Sequence, residues 1–207
     1  MCGFFDDENL DEDISPLQPP YDATTQKQKD FGGWQMLLDY LKASQFRDAV
    51  LSNRYVIVHV DSDESFKPGF DVPHIDERNE EISVEVLIDN IILKLVSVIN
   101  INDPDFYESH KEKIIFCISV HSIECWLLAH YVSKAPKNPK IKGCEKSLRY
   151  ILEKKQGIKS KEFAKNYTFY SQLSEPFLDG IKLRSLTKYE PSLRIFLTSL
   201  DQASRMC

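Results

Sequence analysis

The chain has 207 residues, of which 42% are hydrophobic and 28% are charged, and its net charge is −6. This length and composition are typical of a globular protein that buries a core of its own. The longest apolar runs, such as the one from Ile114 to Val120, are far shorter than the ~20 residues that a membrane-spanning helix needs, so the membrane-protein class is excluded.

The N-terminal residues and the cysteines predict a cytoplasmic protein. The first segment, MCGFFDDENLDED, is acidic where a secretory signal would be basic. The five cysteines include no C-x-x-C pair, so we expect reduced thiols rather than a disulfide framework or a zinc site. Cys117 and Cys125 lie in apolar segments and are expected to be buried thiols.

The charges are unevenly distributed along the chain. Acidic residues dominate the first half, whereas lysines and arginines dominate from Lys134 onward. A basic surface beside an acidic centre is compatible with a protein that contacts nucleic-acid phosphates, although solvated helix faces are also basic.

Apolar segments predict strands that alternate with helices. The predicted strands are rich in β-branched and aromatic residues, and each is followed by carboxylates; they are residues 2–5, 55–60 and 113–120. The predicted helices have apolar residues at helical spacing; they are residues 34–50, 83–99, with Ser83 as the N-terminal cap, and 124–132. Such alternation predicts an α/β fold with a mostly parallel sheet flanked by helices.

The last third of the chain is predicted to be helical and basic. Its predicted helices cover residues 144–155, 161–167, 170–180 and 192–200. We therefore expect an α/β core over residues 1–133 and a basic helical C-terminal part over residues 134–207 that packs on the same domain.

The segment YVIVHVDSDE, residues 55–64, ends a predicted buried strand in acidic residues. Open α/β sheets place their chemistry at the carboxyl ends of strands, and crowded carboxylates repel one another unless a cation binds them. Asp61 and Asp63 are two residues apart, so in an extended strand they point the same way and can share one cation; Glu64 is expected to be a bystander. Oxygen ligands favour Mg²⁺ or Mn²⁺. The alternative is an acidic surface turn that follows the strand.

Two histidines stand near the predicted strand ends. His121 follows the third strand and is a candidate for a contact to substrate or to the acidic residues. His59 lies within the second strand, between Val58 and Val60, and is expected to be a core or sheet-face histidine rather than a ligand. Trp126 is expected to belong to the core.

Several segments are similar to one known family. VIVHVDSDE resembles the D-x-D strand of Toprim domains, and ISVHSIECWLL is similar to a V-x-x-I-E-x-W-L-L segment of small Toprim-like proteins. GFFDDEN stands where that family has a strand ending in glutamate, DFGGWQMLL is similar to the Gly-rich helix start that follows, and LRSLTKYEPSLRIFLTSL resembles the closing segment. On these motifs the chain resembles stand-alone Toprim-like proteins found beside ATPases in bacterial anti-phage systems, including relatives of the OLD nucleases.

This resemblance implies a role for each acidic motif. Asp61 and Asp63, together with Asp7, would hold Mg²⁺ or Mn²⁺, and Glu124 would be a further acidic residue of the catalytic centre. The alternative for Glu124 is that it caps or solvates the helix that it begins. The family's catalytic glutamate acts as general acid and base, whereas this chain offers Asp6, Asp7 and Glu8 with no glycine after them. Asp7 and Glu8 are therefore the catalytic candidates, and the match among the three is left open.

A phosphodiester substrate needs positive charge to approach an acidic centre. The candidate nucleic-acid-binding residues are cations of the C-terminal part: Arg149, Lys182, Arg184, Lys188 and Arg194. Arg184 and Arg194 suit bidentate contact with phosphate better than lysines do.

The leading functional interpretation is a Mg²⁺- or Mn²⁺-dependent nuclease that hydrolyses the backbone of DNA or RNA. The resemblance further implies an effector of anti-phage defence that works with an ATPase partner. The alternative is a catalytically silent Toprim-like adaptor that binds a partner protein or nucleic acid. A phosphoacceptor domain like the response-regulator receivers is disfavoured, because His121 follows KIIFCISV where a lysine is needed. The oligomeric state is left open, and a homo-oligomer is compatible with the sequence.

Overall fold

The computed structural model describes residues 1–7, 9–17, 21–22, 27–28, 33–132, 142–158, 163 and 166–205. The chain divides into two compact units. The sheet unit comprises Ile14–Ile118 and Thr198–Cys207, and the helical unit comprises Met1–Asp13 and Ser119–Leu197.

A mixed α/β arrangement rich in helices is confirmed, with a smaller sheet than expected. Strands β3 (Val56–Asp61) and β4 (Ile114–Ser119) form a two-stranded parallel sheet, and a short antiparallel pair, β1 (Tyr21–Asp22) and β2 (Lys27–Gln28), stands apart from it. Within the described residues, β3 and β4 pair with no third strand. All six residues of β4 are buried, as is usual for a parallel strand covered on both faces.

The predicted first strand is wrong, because residues 2–5 form a short helix, α1 (Cys2–Phe5). A short apolar run does not reveal its secondary structure by periodicity, so packing decides it. In the helical unit, Phe4 is buried, and Gly3 lies so close to the backbone that a Cβ atom there would overlap the carbonyl oxygen of Phe177. Asp6 ends the helix in the left-handed conformation, with φ 55°.

The predicted helix over residues 34–50 is two helices, α2 (Trp34–Lys42) and α3 (Ser44–Ser52). Ala43 between them is extended, with φ −77° and ψ 156°. The guanidinium of Arg47 donates to the carbonyl oxygens of Lys42 (3.1 Å) and Ala43 (3.0 Å), and it therefore satisfies groups that a helix end leaves without partners. This arginine also lies over the ring of Phe106, 5.2 Å from its centroid.

The helix between the two parallel strands agrees with its prediction. It is α4 (Val84–Ile99), and the hydroxyl of its cap Ser83 accepts from the backbone N–H of Val86 at 3.3 Å. Its apolar face, which includes Leu87, Ile91 and Leu95, is buried, and the short helix α5 (Phe106–His110) then leads to β4.

The helical unit is built around α6 (Ile123–Tyr131) and α7 (Cys144–Gln156). Its core contains leucines of both helices together with Phe163 and Leu173. The later helices are α8 (Tyr167–Ser174), α9 (Gly180–Leu186) and α10 (Pro191–Arg205), and the residues of α10 from Thr198 onward belong to the sheet unit. Most of the predicted helix 161–167 lies outside the described residues. The predicted boundary between residues 133 and 134 stays a prediction, because residues 133–141 are outside them too.

The prediction of reduced thiols is wrong for one pair of cysteines. Cys125 of α6 and Cys144 of α7 form a disulfide, whereas Cys2 and Cys117 are free. Burial raises the pKa of Cys117, so its thiol is protonated and unreactive. The disulfide joins helices that the sequence alone gave no reason to pair, since neither cysteine belongs to a spaced motif.

No helix in the described part of the chain is both long enough and apolar enough to cross a membrane.

Removing the disulfide should destabilise the helical unit. The two cysteines are 19 residues apart, and closing a loop of this size restricts the unfolded chain by about 3 kcal/mol. The Cys125→Ala, Cys144→Ala variant should therefore unfold at lower denaturant concentration than wild type, as measured by circular dichroism. Cys2→Ala is the control, because Cys2 is a free thiol. Thiol titration of denatured, unreduced protein should find two fewer thiols than after reduction, and an equal number would contradict the bond.

Candidate functional site at the end of strand β3

Strand β3 has one buried apolar face and one face with polar, ionisable side chains. Val56, Val58 and Val60 are buried, whereas the residues between them are less buried. Because side chains alternate along a strand, His59 and Asp61 share the face opposite the valines. Because burial of the valines fixes which face of the strand packs on the core, the imidazole of His59 and the carboxylate of Asp61 lie on the opposite face.

The chain turns directly after Asp61, which is the last residue of β3. Ser62–Glu64 form a single 3-10 turn, so the expectation that Asp61 and Asp63 project together from one extended strand is wrong. His74 holds this turn in place, since its Nε2 donates to the carbonyl oxygen of the buried Ser62 at 2.8 Å. The aspartates nevertheless face the same cavity.

That cavity is a cleft of about 500 Å³ in the sheet unit. One wall is the first turn of α2, and the other is the end of β3 with the turn after it. The lining residues are Gly33, Trp34, Gln35, Met36, Leu37, His59, Val60, Asp61, Asp63 and Glu64. Its size is within the ~300–1,000 Å³ of sites that bind small molecules.

Trp34 is the aromatic wall of the cleft and is held from two sides. Its indole N–H donates to Oε2 of Glu64 at 3.1 Å, and its ring stacks on Phe70 with centroids 5.7 Å apart and planes 20° apart. Glu64 also accepts from Lys67, and this hydrogen bond is the main reason that the pKa of Glu64 lies below its ordinary value. Glu64 therefore orients the indole of Trp34 through this hydrogen bond.

His59 also lines the cleft, although the sequence predicted it as a core or sheet-face histidine and not as a site residue. Its Nε2 lies 3.7 Å from Oδ1 of Asp61, and its side chain is 45% exposed. Because the ring sits inside the cleft, protein atoms replace part of its water, and this burial lowers the pKa of His59. Burial in the cleft therefore favours the neutral imidazole. The signal in the sequence was the alternation with Val58 and Val60, which places His59 opposite the core.

The donor set of the cleft is suited to a hard cation only in part. Asp61 and Asp63 supply carboxylate oxygens, which Mg²⁺ and Mn²⁺ prefer. In the residues that the structure describes, no group of three or more His, Cys, Asp or Glu side chains is placed to hold a metal ion. Mg²⁺ is often bound through one or two carboxylates, with water and substrate phosphate as its other ligands, so two aspartates fit this mode.

The remaining acidic candidates belong to the helical unit. Glu124, in the first turn of α6, is buried and accepts a hydrogen bond from the hydroxyl of Tyr170. Burial first, and then this bond, raise the pKa of Tyr170, so the phenol remains a donor. Asp7 lies just after α1, and Glu8 is outside the described residues. The predicted convergence of these acids with Asp61 and Asp63 would join the two units and stays a prediction.

The predicted phosphate-binding cations differ in their surroundings. Arg149 pairs with Glu145 at 2.7 Å and lies over the ring of Phe163, 3.9 Å from its centroid. The Arg184 guanidinium lies 4.4 Å from the centroid of Phe4, and Lys182 pairs with Asp179 at 2.9 Å.

The other three predicted polar residues lie at or near the surface of the helical unit. Lys188 and Arg194 are exposed, and His121 is half-buried with φ 51°. Their expected contacts with nucleic acid or substrate stay predictions.

A buried polar network in the helical unit was not predicted. The hydroxyl of Ser192 donates to Oε1 of Glu190 at 2.8 Å and accepts from the indole N–H of Trp126 (2.7 Å) and the backbone N–H of Val120 (3.3 Å). Glu190 is 1% exposed, and its burial raises its pKa. Trp126 is buried and stacks on Phe196, which confirms its predicted place in the core.

Glu190 should make the stability of the protein depend on pH. Its native pKa is raised above the ordinary value of 4.5, so the stability it contributes is present below that value and is lost as pH rises through the native pKa. Glu190→Gln keeps an acceptor for Ser192 and removes the titration. The melting temperature of this variant should therefore rise relative to wild type between pH 4 and pH 7.

The control is Glu175→Gln, which changes an exposed carboxylate. If the melting temperatures of wild type and Glu190→Gln changed equally with pH, Glu190 would be ionised to the same extent in the folded and unfolded protein, and the prediction would be wrong.

Comparison with known proteins gives no match for this chain: no family model, no curated protein and no solved structure is significantly similar to it.

Proposed function

We propose that the protein is a Mg²⁺- or Mn²⁺-dependent phosphodiesterase that hydrolyses the backbone of DNA or RNA, with its catalytic cleft at the end of β3. The observation that carries this proposal is that Asp61 and Asp63 line one open cleft of about 500 Å³ at the carboxyl end of a parallel strand. Parallel sheets commonly bind their ligands at this place.

The two aspartates would hold the cation through carboxylate oxygens. A bound divalent ion supplies charge to the phosphate oxygens and lowers the pKa of a water molecule. The turn Ser62–Glu64 fixes the position of Asp63, since the carbonyl of Ser62 is tied to His74. The imidazole of His59 lies beside the Asp61 carboxylate, with Nε2 3.7 Å from Oδ1.

The charge of the cleft makes the proposal testable at the level of binding. Asp61 and Asp63 line the same cleft and repel a phosphate when no cation is present. We therefore expect nucleic acid to bind the cleft much more weakly in the presence of a chelator than with Mg²⁺.

Loss of the two carboxylates should abolish activity. Asp61→Asn, Asp63→Asn keeps the shape of the side chains, and we expect at least a 100-fold lower rate of hydrolysis of single-stranded and duplex DNA and RNA with Mn²⁺, since metal-ion stabilisation of the transition state contributes several kcal/mol. Mn²⁺ should also raise the melting temperature of wild type, reversibly with chelator, but not that of the variant.

The matched control is Glu77→Gln, Glu80→Gln, which removes two exposed charges from the loop between the cleft and α4. Activity that is equal in wild type and in the aspartate variant would come from a contaminant or another site and would refute the assignment.

A binding role without catalysis is the second candidate. It is favoured by two observations: residues 2–5 form a helix rather than the strand that would present a catalytic glutamate, and Glu124 is buried against Tyr170. Binding of Mn²⁺ to Asp61 and Asp63 without hydrolysis of any nucleic acid would support this adaptor role.

The role in anti-phage defence rests on the resemblance to Toprim-like proteins and belongs to the same proposal. It implies an ATPase partner whose presence raises nuclease activity. Co-expression with an ATPase encoded beside this protein, followed by the same assays, tests it.

A further inference from the structure

Trp34 has a position that metal binding does not explain. Its side chain lines the cleft and is half-buried, on the wall that faces the end of β3. Asp61 and Asp63 need no aromatic neighbour to hold a cation. An indole exposed in an acidic cavity would instead serve to bind the part of a ligand that carries no charge.

The indole is fixed before any ligand arrives. The hydrogen bond to Glu64 orients the ring edge, and the parallel contact with Phe70 supports the ring from one side. Lys67 in turn holds Glu64. An aromatic group that is already immobile loses little conformational entropy on binding, so it is an efficient surface for another planar ring.

The size of the cleft limits what such a ring can belong to. A volume of about 500 Å³ holds one small ligand. A base within a duplex is stacked and paired on all sides, and it reaches a pocket of this kind only when it is unpaired or flipped out. Aromatic side chains bind unpaired bases of any sequence, because every base has a π face.

We propose that the cleft binds one unpaired nucleotide whose base stacks on Trp34 while its phosphate lies toward Asp61 and Asp63. The substrate class is then single-stranded nucleic acid, or an unpaired position within a folded strand. The inference rests on the proposed phosphodiesterase function for the placement of the phosphate, whereas the stacking of the base does not require hydrolysis or metal.

Stacking can be measured by binding alone. The affinity for a fluorescently labelled single-stranded DNA of eight nucleotides, measured by anisotropy with Mg²⁺ at 4 °C, should fall roughly 5- to 100-fold in Trp34→Ala. Trp34→Phe keeps an aromatic face and should lose far less. A duplex of the same length should bind wild type more weakly than the single strand does. Equal binding by wild type and Trp34→Ala, or tighter binding of the duplex, would overturn the proposal.

A second measurement guards against a general loss of structure in Trp34→Ala. The chain has two tryptophans, and the other, Trp126, is buried. Adenosine, which has no phosphate, should quench the emission of Trp34 in wild type and in Asp61→Asn, Asp63→Asn alike, and should not quench that of Trp34→Phe. Quenching by spermidine in place of adenosine would show that the cleft binds an organic cation and would overturn the base-stacking proposal.

The two proposals fail in distinguishable ways. Adenosine quenching in a protein that hydrolyses nothing would keep the stacking and refute the nuclease. Metal-dependent hydrolysis with the same Michaelis constant in wild type and Trp34→Ala would keep the nuclease and refute the stacking.

Discussion

The burial of alternate residues in β3 is the constraint on which the candidate site depends. Val56, Val58 and Val60 enter the core, and the two-residue period of a strand leaves no freedom in where His59 and Asp61 then point. A shift of one residue in register would bury the imidazole and the carboxylate and expose the valines. The free energy gained by burying the valines therefore also keeps His59 and Asp61 on the opposite face of the strand.

The helix that supplies the second wall of the cleft is held at its far end by Arg47. Arg47 donates to the carbonyl oxygens of Lys42 and Ala43, where α2 ends and the chain is extended before α3 begins. The guanidinium of Arg47 also donates to the carbonyl oxygen of Ile99, the last residue of α4, at 2.6 Å. The Arg47 side chain thus connects the ends of two helices in the sheet unit. At its other end, α2 begins at Trp34, which lines the cleft.

Two buried carboxyl groups among the described residues of the helical unit are paired with hydroxyl donors. Glu124 accepts from Tyr170, and Glu190 accepts from Ser192. A carboxyl group removed from water requires such donors, since an unsatisfied one would cost several kcal/mol. The hydrogen bond from Tyr170 thus satisfies Glu124 beside the apolar core that contains the Cys125–Cys144 disulfide. These contacts also mean that an acidic residue in a family-like motif can have a structural role.

The sequence by itself determined the elements with strong local patterns: β3, β4, α4 with its cap Ser83, and the acidic residues at the end of β3. Local periodicity and helix capping depend on a few neighbouring residues, so they can be recognised in the sequence without knowledge of the fold. Tertiary structure decided the rest. Residues 2–5 form a helix whose Gly3 lies against the backbone of Phe177, Cys125 is bonded to Cys144, and the approach of α2 to β3 brings Trp34 beside Asp61 and Asp63. These contacts link residues far apart in the chain, where no spacing rule relates them, and so the cleft and its aromatic wall exist only in the folded protein.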